Sequence, residues 1–439
     1  MGQLDIATIT GILPKLIEGG GIRPIAQSRF LREINKAKET MMINPGGLYT
    51  PYAVSENYGA FGVAEGGPIL AGNAPQYTLA QAQIRQLWKS MNWTGGVERI
   101  QNTYLTKLKQ DPKYSGLGQD KLNQVAMNFA VRDTVFSTFK EYARMENFFA
   151  LQGGDNSAIG VVTAADAGAK TVTFDGDTTA MGNRLFNLGM QIEFRSDAGV
   201  LRDTTAAYFT VDQVVTHDVT GVVHFSVGGA DIVAGDTAHF RNSYAKLPTG
   251  VPEYVDDAGD FKGVTRADFP EIFESVMIRH TNSPTIAPLH VREQLSYVQS
   301  KVGYDVPLHL MMWMCKTQRF NWESFVYNSL IRQVAADRVR LADYAVNEFE
   351  WDGMALNQDV DVPPDSLYLL NMTTWRKIVQ TALQAYRFNS GDLVVNVINS
   401  NGEYTDAKQS TIFSESNWDC EDARTNSIQS GFAFNYRHI

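Results

Sequence analysis

Residues 65–93, EGGPILAGNAPQYTLAQAQIRQLWKSMNW, open on Gly66, Gly67 and Pro68, pass through Gly72 and Asn73, and then run as a mixed polar and apolar stretch to Trp88 and Trp93. Glycine, proline and asparagine take backbone angles that regular elements reject, so the first half reads as a wide loop and the second as a strand. With YTPYAVSENYGAFGV before it, the segment 51–98 reads as one extended hairpin. In the return strand Leu79, Ile84, Leu87 and Trp93 do not hold a single alternating face. A two-stranded ribbon is only marginally stable in water, so some other surface has to cover it.

Working outward, residues 1–50 read as an arm. Pro14, Pro24, Pro45, the glycines at 19–21 and Gly46-Gly47 interrupt regular structure, leaving one short helix within AQSRFLREINKAKETMM. Arg29, Arg32, Lys36 and Lys38 give that helix a mildly basic face, which a solvated helix also presents. Past the hairpin, 119–152 places Leu122, Val125, Phe129, Phe136, Phe139 and Ala143 at three- and four-residue steps with no internal Gly or Pro, which predicts one long helix ended by Gly153-Gly154. Residues 158–246 are rich in Val, Thr, Phe and Gly with frequent turn signals, the pattern of a small antiparallel β insertion. From 262 the chain returns to mixed elements: helices over 288–303 and 317–334, strands over 306–315, 344–356 and 366–372, a helix over 373–388, and a closing strand through Phe432, Phe434 and Tyr436.

The chain has 439 residues, 44% of them hydrophobic, enough for a sizeable core. No run of 18 apolar residues is present, and the first twenty residues lack the charged and apolar regions of a signal peptide, so no membrane partner is expected. Two cysteines, Cys315 and Cys420, cannot build a disulfide framework, and the seven histidines share no ligand spacing with them, so no zinc site is expected. A net charge of -10 opposes a dedicated nucleic-acid reader while leaving room for a local basic patch.

Motifs for chemistry are missing. Neither GxxxxGK[ST], nor GxGxxG after a strand, nor GxSxG, nor HExxH occurs. Two acidic clusters, Asp256, Asp257 and Asp260 and then Asp359, Asp361 and Asp365, offer oxygens to a cation but lack the spacing of a calcium loop and read as polar turns. A carbohydrate-active enzyme needs two carboxylates across a cleft, for which Glu274, Glu323 and Glu348 are candidates with nothing to single them out. No catalytic residue, cofactor or metal ligand is expected.

The ordered layout resembles the major capsid protein of tailed double-stranded DNA phages, the fold shared with herpesvirus capsid floors and encapsulin shells. The residues that carry the resemblance are GVAEGGPI at 62–69 with LWKSMNWTGG at 87–96, VPLHLMMWMCKTQRFNWESF at 306–325, and EFEWDGMALNQDVDVPPDSLYLLN at 348–371; together they cover nearly all of the chain except 158–246. The resemblance implies an α+β fold with an N-terminal arm at 1–50, an extended hairpin loop at 51–98, a peripheral domain with its spine helix at 99–157, an inserted β domain at 158–248, an axial domain at 249–395 and a return to the peripheral domain at 396–439. It implies a non-enzymatic shell subunit that forms hexamers and pentamers in the host cytoplasm and ends in the virion. Its expected partners are a separate scaffolding protein, a portal, a decoration or cement protein docking on the insertion, and packaged DNA held by weak non-specific contact. In that arrangement Tyr58, Phe61, Pro68, Ile69, Leu70, Tyr77 and Trp88 of the hairpin lie against a neighbouring subunit, and Arg29, Arg32, Lys36 and Lys38 on the inner face meet DNA. Some relatives cross-link through a hairpin lysine; none lies between residues 40 and 88 here, so that route is not expected. An encapsulin-type compartment is the near alternative, and the enzyme described above the distant one.

Overall fold

The structure, a computed structural model, describes residues 29–37, 41–42, 47–55, 76–93, 95–114, 116, 118–154, 156–174, 185–202, 208–214, 221–226, 231–303, 309–333, 349–351, 354–388, 391–398 and 404–433. Helices and strands are mixed along the chain, an α+β composition. The chain divides into two compact units, a larger one of residues 28–85, 148–378 and 417–439 and a smaller one of 1–27, 86–147 and 379–416.

The larger unit is built on a six-stranded sheet in the order Val276–Arg279, Ser427–Ser430, Leu367–Asn371, Leu310–Met314, Met354–Gln358, Phe349–Trp351. Its third strand, Leu367–Asn371, is buried at every position: four apolar residues lead to Asn371, whose side-chain Oδ1 accepts from the His309 N–H at 3.2 Å. The neighbouring strand Leu310–Met314 alternates between two cores: Leu310, Met312 and Met314 join Val291, Trp322 and Leu356 on one face, while Trp313 joins Tyr368 and Trp375 on the other. Helix Pro288–Val302 brings Val291 and Leu295 to the first of these faces and ends at Gly303, whose φ of +75° suits a residue without Cβ.

Two segments correct the sequence reading of this unit. The helix Arg29–Ala37, expected on an arm, sets Phe30, Leu31 and Ile34 into the chain's own core; Phe30 meets the Trp313 ring edge-on at 5.2 Å. Burying each such side chain contributes about 1.5–3 kcal/mol, which holds the helix down. The segment 344–356, read as one strand, is instead two antiparallel strands, Phe349–Trp351 and Met354–Gln358.

Residues 160–240 of the larger unit form six antiparallel strands that close into a barrel: Gly160–Asp166, Thr171–Phe174, Val222–Phe225, Phe209–Val214, Gln191–Arg195 and Thr237–Phe240, in spatial order. Phe174, Phe194, Phe209 and Phe225 fill its interior, with Phe194 and Phe209 5.2 Å apart. Alternation of inward apolar and outward polar residues, as in Thr171–Phe174, builds this wall.

In the smaller unit, helix Gly95–Gln110 packs through Leu108 on Leu122 and Ala126 of the long helix Gln119–Gln152, whose bounds follow the apolar period of the sequence. The 17-residue strand Tyr404–Cys420, most of it in this unit, pairs with Trp375–Ala385, Val395–Ile398 and Arg85–Trp93. Trp375–Ala385 is therefore a strand where a helix was expected. At its far end Tyr386 N–H donates to the Thr411 carbonyl at 2.7 Å. The closing strand is Ser427–Ser430; Phe432 is buried just beyond it, and Phe434 and Tyr436 lie outside the described residues.

Candidate functional site

The return strand of the hairpin is divided between two sheets. Leu48–Ser55 pairs antiparallel with Gln76–Ala82, and after Gln83 and Ile84 the chain starts a new strand, Arg85–Trp93, that pairs elsewhere. Gly47 opens the ribbon at φ +90°, where a Cβ would stand 2.3 Å from the Ala82 carbonyl oxygen, so the two strands can close only on glycine.

The register sorts the ribbon into two faces. Tyr49, Pro51 and Ala53 stand opposite Gln81, Leu79 and Tyr77 on one face, and Leu48, Thr50 and Tyr52 stand opposite Ala82, Ala80 and Thr78 on the other. The second face is the inner one: Ala80 and Ala82 are buried, and Tyr52 and Val54 pack against the larger unit's core. The first face is the outer one, and it is apolar too. Tyr49 is 59% exposed and Tyr77 and Leu79 are each 64% exposed, with exposed Pro51 and Ala53 between them. A strand pair with one wet face ordinarily alternates apolar with polar.

The inner face is anchored by charge as well as by packing. The Tyr52 ring lies 5.1 Å from Phe273 and 6.0 Å from Phe261, and its hydroxyl donates to the Glu421 carbonyl at 2.8 Å. Lys262 Nζ donates to that hydroxyl at 3.1 Å and stands 2.5 Å from Asp419 Oδ1, with neither charged side chain exposed. Arg376 holds the other carboxylate oxygen through Nε at 2.7 Å and Nη2 at 2.6 Å, and reaches Glu421 through Nη1 at 2.5 Å. Two cations and two carboxylates thus neutralise one another, the condition under which buried charge is tolerated. Burial, reinforced by the Asp419 carboxylate, pushes the Tyr52 hydroxyl far above its ordinary range, and burial pushes the neighbouring Cys420 thiol up to about 12. Both groups are inert as nucleophiles at neutral pH.

Lys262 and Gly263 take φ of +51° and +80° in the tight turn between Asp260–Phe261 and Val264–Thr265. The Lys262 carbonyl accepts from the Gln81 N–H at 3.0 Å, so the same turn grips the ribbon by backbone and by side chain.

Of the hairpin residues singled out in the sequence, Tyr77 is on the outer ribbon face. Trp88 sits on Arg85–Trp93 in the smaller unit, stacked 4.7 Å from Phe413 and still 39% exposed. Tyr58, Phe61, Pro68, Ile69 and Leu70 lie outside the described residues. Arg29, Arg32 and Lys36 fall on helix Arg29–Ala37, where Arg32 is exposed; Lys38 lies outside the described residues. Sequence reading did not single out Tyr49, Leu79 or the Lys262–Asp419 pair as site residues. The first two could have been found by aligning the two strands in register, and the pair had no local signal because 157 positions separate its members.

The acidic clusters have structural partners. Asp256 and Asp257 pair with Arg279 at 3.2 and 2.8 Å, Asp359 Oδ1 accepts from the Asp361 N–H at 3.1 Å, and Asp365 Oδ1 accepts from Ser366 Oγ at 2.8 Å. Glu274 pairs with Lys301 and Glu323 with Arg319; Glu348 lies outside the described residues. Among the described residues no group of three or more His, Cys, Asp or Glu is placed to hold a metal ion, and no helix is long and apolar enough to cross a membrane.

No family model and no curated protein matches the chain. Solved structures do. The cyanophage A-1(L) capsid asymmetric unit is 9% identical with a TM-score of 0.48, the match covering 93% of each chain. Mycobacterium phage Ogopogo is 6% identical with a TM-score of 0.45 over 92% of each. The chain is similar to each of these. It is also similar to the holo-SrpI encapsulin complex from Synechococcus elongatus, at 10% identity and a TM-score of 0.33 over 96% of this chain and 98% of that one. At identities of 10% or less and TM-scores below 0.5, the reading of function rests on the chain's own side chains.

Proposed function

We propose that this chain is a structural shell subunit, the major capsid protein of a tailed double-stranded DNA phage, which assembles with copies of itself into hexamers and pentamers. The observation that carries the reading is the ribbon with two apolar faces. Its inner face is already used by the chain's own core, so Tyr49, Pro51, Ala53, Tyr77 and Leu79 are left for a partner. The ordered segments quoted above, with their resemblance to shell proteins, make that partner a second copy. A ribbon on one subunit that docks on a different patch of the next is a head-to-tail contact, the kind that closes into rings. Each contact is modest, and repetition around a shell makes the sum durable.

In this reading the barrel is the inserted domain, the six-stranded sheet belongs to the axial domain and the long helix is the spine of the peripheral domain. The protein does no chemistry. Scaffolding, portal and decoration proteins are its partners during assembly in the host cytoplasm, and Arg29, Arg32, Lys36 and Lys38 touch packaged DNA without sequence preference.

A cysteine at the outer ribbon face tests the interface directly, because both native cysteines are buried. In Leu79→Cys, a maleimide should label dispersed subunits within minutes and assembled particles at least ten-fold more slowly. Equal labelling of the two forms would remove the ribbon from the interface.

A further inference from the structure

Cations are unevenly distributed over the described surface. Of the sixteen lysines in the chain, four, Lys107, Lys109, Lys113 and Lys121, fall within fifteen residues. They occupy the elbow between two helices: Lys107 and Lys109 in the last turn of Gly95–Gln110, Lys113 on the short turn Pro112–Tyr114, and Lys121 in the first turn of Gln119–Gln152. The apolar cluster of Leu108, Leu122 and Ala126 packs the two helix ends together, which brings the four lysine positions to one elbow. All four are exposed, and among the described residues none is in an ion pair. Two carboxylates belong to the same stretch, Asp120 beside Lys121 and Asp111, which is turned to the backbone, where Oδ1 accepts from the Lys113 N–H at 2.9 Å. Lysines in a last helical turn offset the helix dipole, but that accounts for Lys107 and Lys109 only. Lys121, at the opposite dipole end, and Lys113, outside both helices, have no such local reason.

We infer that this elbow is a phosphate-binding surface for duplex DNA, and that it marks the side of the subunit facing the packaged genome. The inference rests on the shell reading above, since a chain of net charge -10 can line a DNA-filled cavity only by turning its cations inward. Four flexible, strongly hydrated ammonium groups without a rigid fork suit phosphates of any sequence, not base edges.

The test uses the full chain as dispersed subunits with a fluorescent 30-base-pair duplex of arbitrary sequence, titrated across a salt series. Each lysine that neutralises a phosphate adds about 0.9 to the slope of log affinity against log salt, so replacing all four with Gln should lower that slope by roughly 3 to 4 and weaken binding at least ten-fold at low salt. Replacing all four with Arg should retain both. An Arg32→Gln and Lys36→Gln variant should change the slope by less than 2. Closed wild-type particles should not bind added duplex through the patch, so the Gln and wild-type particles should behave alike. A Gln variant that stays folded by circular dichroism and binds as tightly as wild type would overturn the inference. So would a polyglutamate of equal charge that binds more tightly than the duplex, which would assign the patch to an acidic protein. Particles that form but do not use the elbow would sink this inference alone, whereas subunits that bind DNA and never assemble would sink the shell reading.

Discussion

Lys262 combines a left-handed backbone with a fully buried ammonium group. A non-glycine residue at such φ costs roughly 1–2 kcal/mol, so the position is held by what the side chain reaches. Its removal leaves Asp419, itself without exposure, facing Arg376 alone. Lys262→Ala should therefore destabilise the fold by roughly 3–5 kcal/mol in urea unfolding, the range for breaking a buried pair. Lys262→Met combined with Asp419→Leu should lose clearly less than the sum of the two single changes. Strict additivity would show that the pair does not act as a unit. None of this was legible beforehand: Lys262 sits in DFKGV and Asp419 in NWDC, two ordinary polar turns when read alone.

At the scale of elements, legibility followed the burial of apolar side chains. The long helix and the strand Leu367–Asn371 were read correctly because their patterns are long and apolar. Trp375–Ala385 was misread because Trp375, Ile378, Val379, Ala382 and Leu383 repeat at helical spacing, while its real constraint is pairing with Tyr404–Cys420. That partner was missed for the opposite reason. Ser410, Thr411, Ser414, Ser416 and Asn417 look like a loop, yet they are buried. Tyr142 Oη and Ser414 Oγ lie 2.5 Å apart, and Asn417 Oδ1 accepts from the Thr249 N–H at 2.8 Å, so the polar atoms are satisfied. The barrel makes a pH prediction. His239 is buried, and burial, opposed by the nearby Glu193 carboxylate, lowers its pKa from 6.5 to about 4. Below pH 6.5 the unfolded chain takes a proton that the fold refuses, so stability should fall between pH 6.5 and 4 by roughly 3 kcal/mol and stay level above that window. In His239→Gln this component of the pH dependence should vanish, as followed by denaturant midpoints; an unchanged profile would assign the acid sensitivity elsewhere.

For the whole molecule, the order of segments carried more than any motif. A hairpin, a long helix, a β-rich stretch and a mixed domain can be read along the chain, because each changes the apolar period over tens of residues. What escaped was register. The outer ribbon face appears only when Tyr49 and Leu79 are placed beside their partners, and the shell reading depends on that face. Electron microscopy of the purified chain, beside a Tyr77→Ser and Leu79→Ser variant of equal thermal stability, tests this most directly. Wild type should form closed shells, tubes or rings of five or six, alone or with a scaffold, and the variant should remain dispersed. A wild-type chain that stays monomeric at every concentration and with a scaffold, or a variant that assembles as well as wild type, would contradict the account.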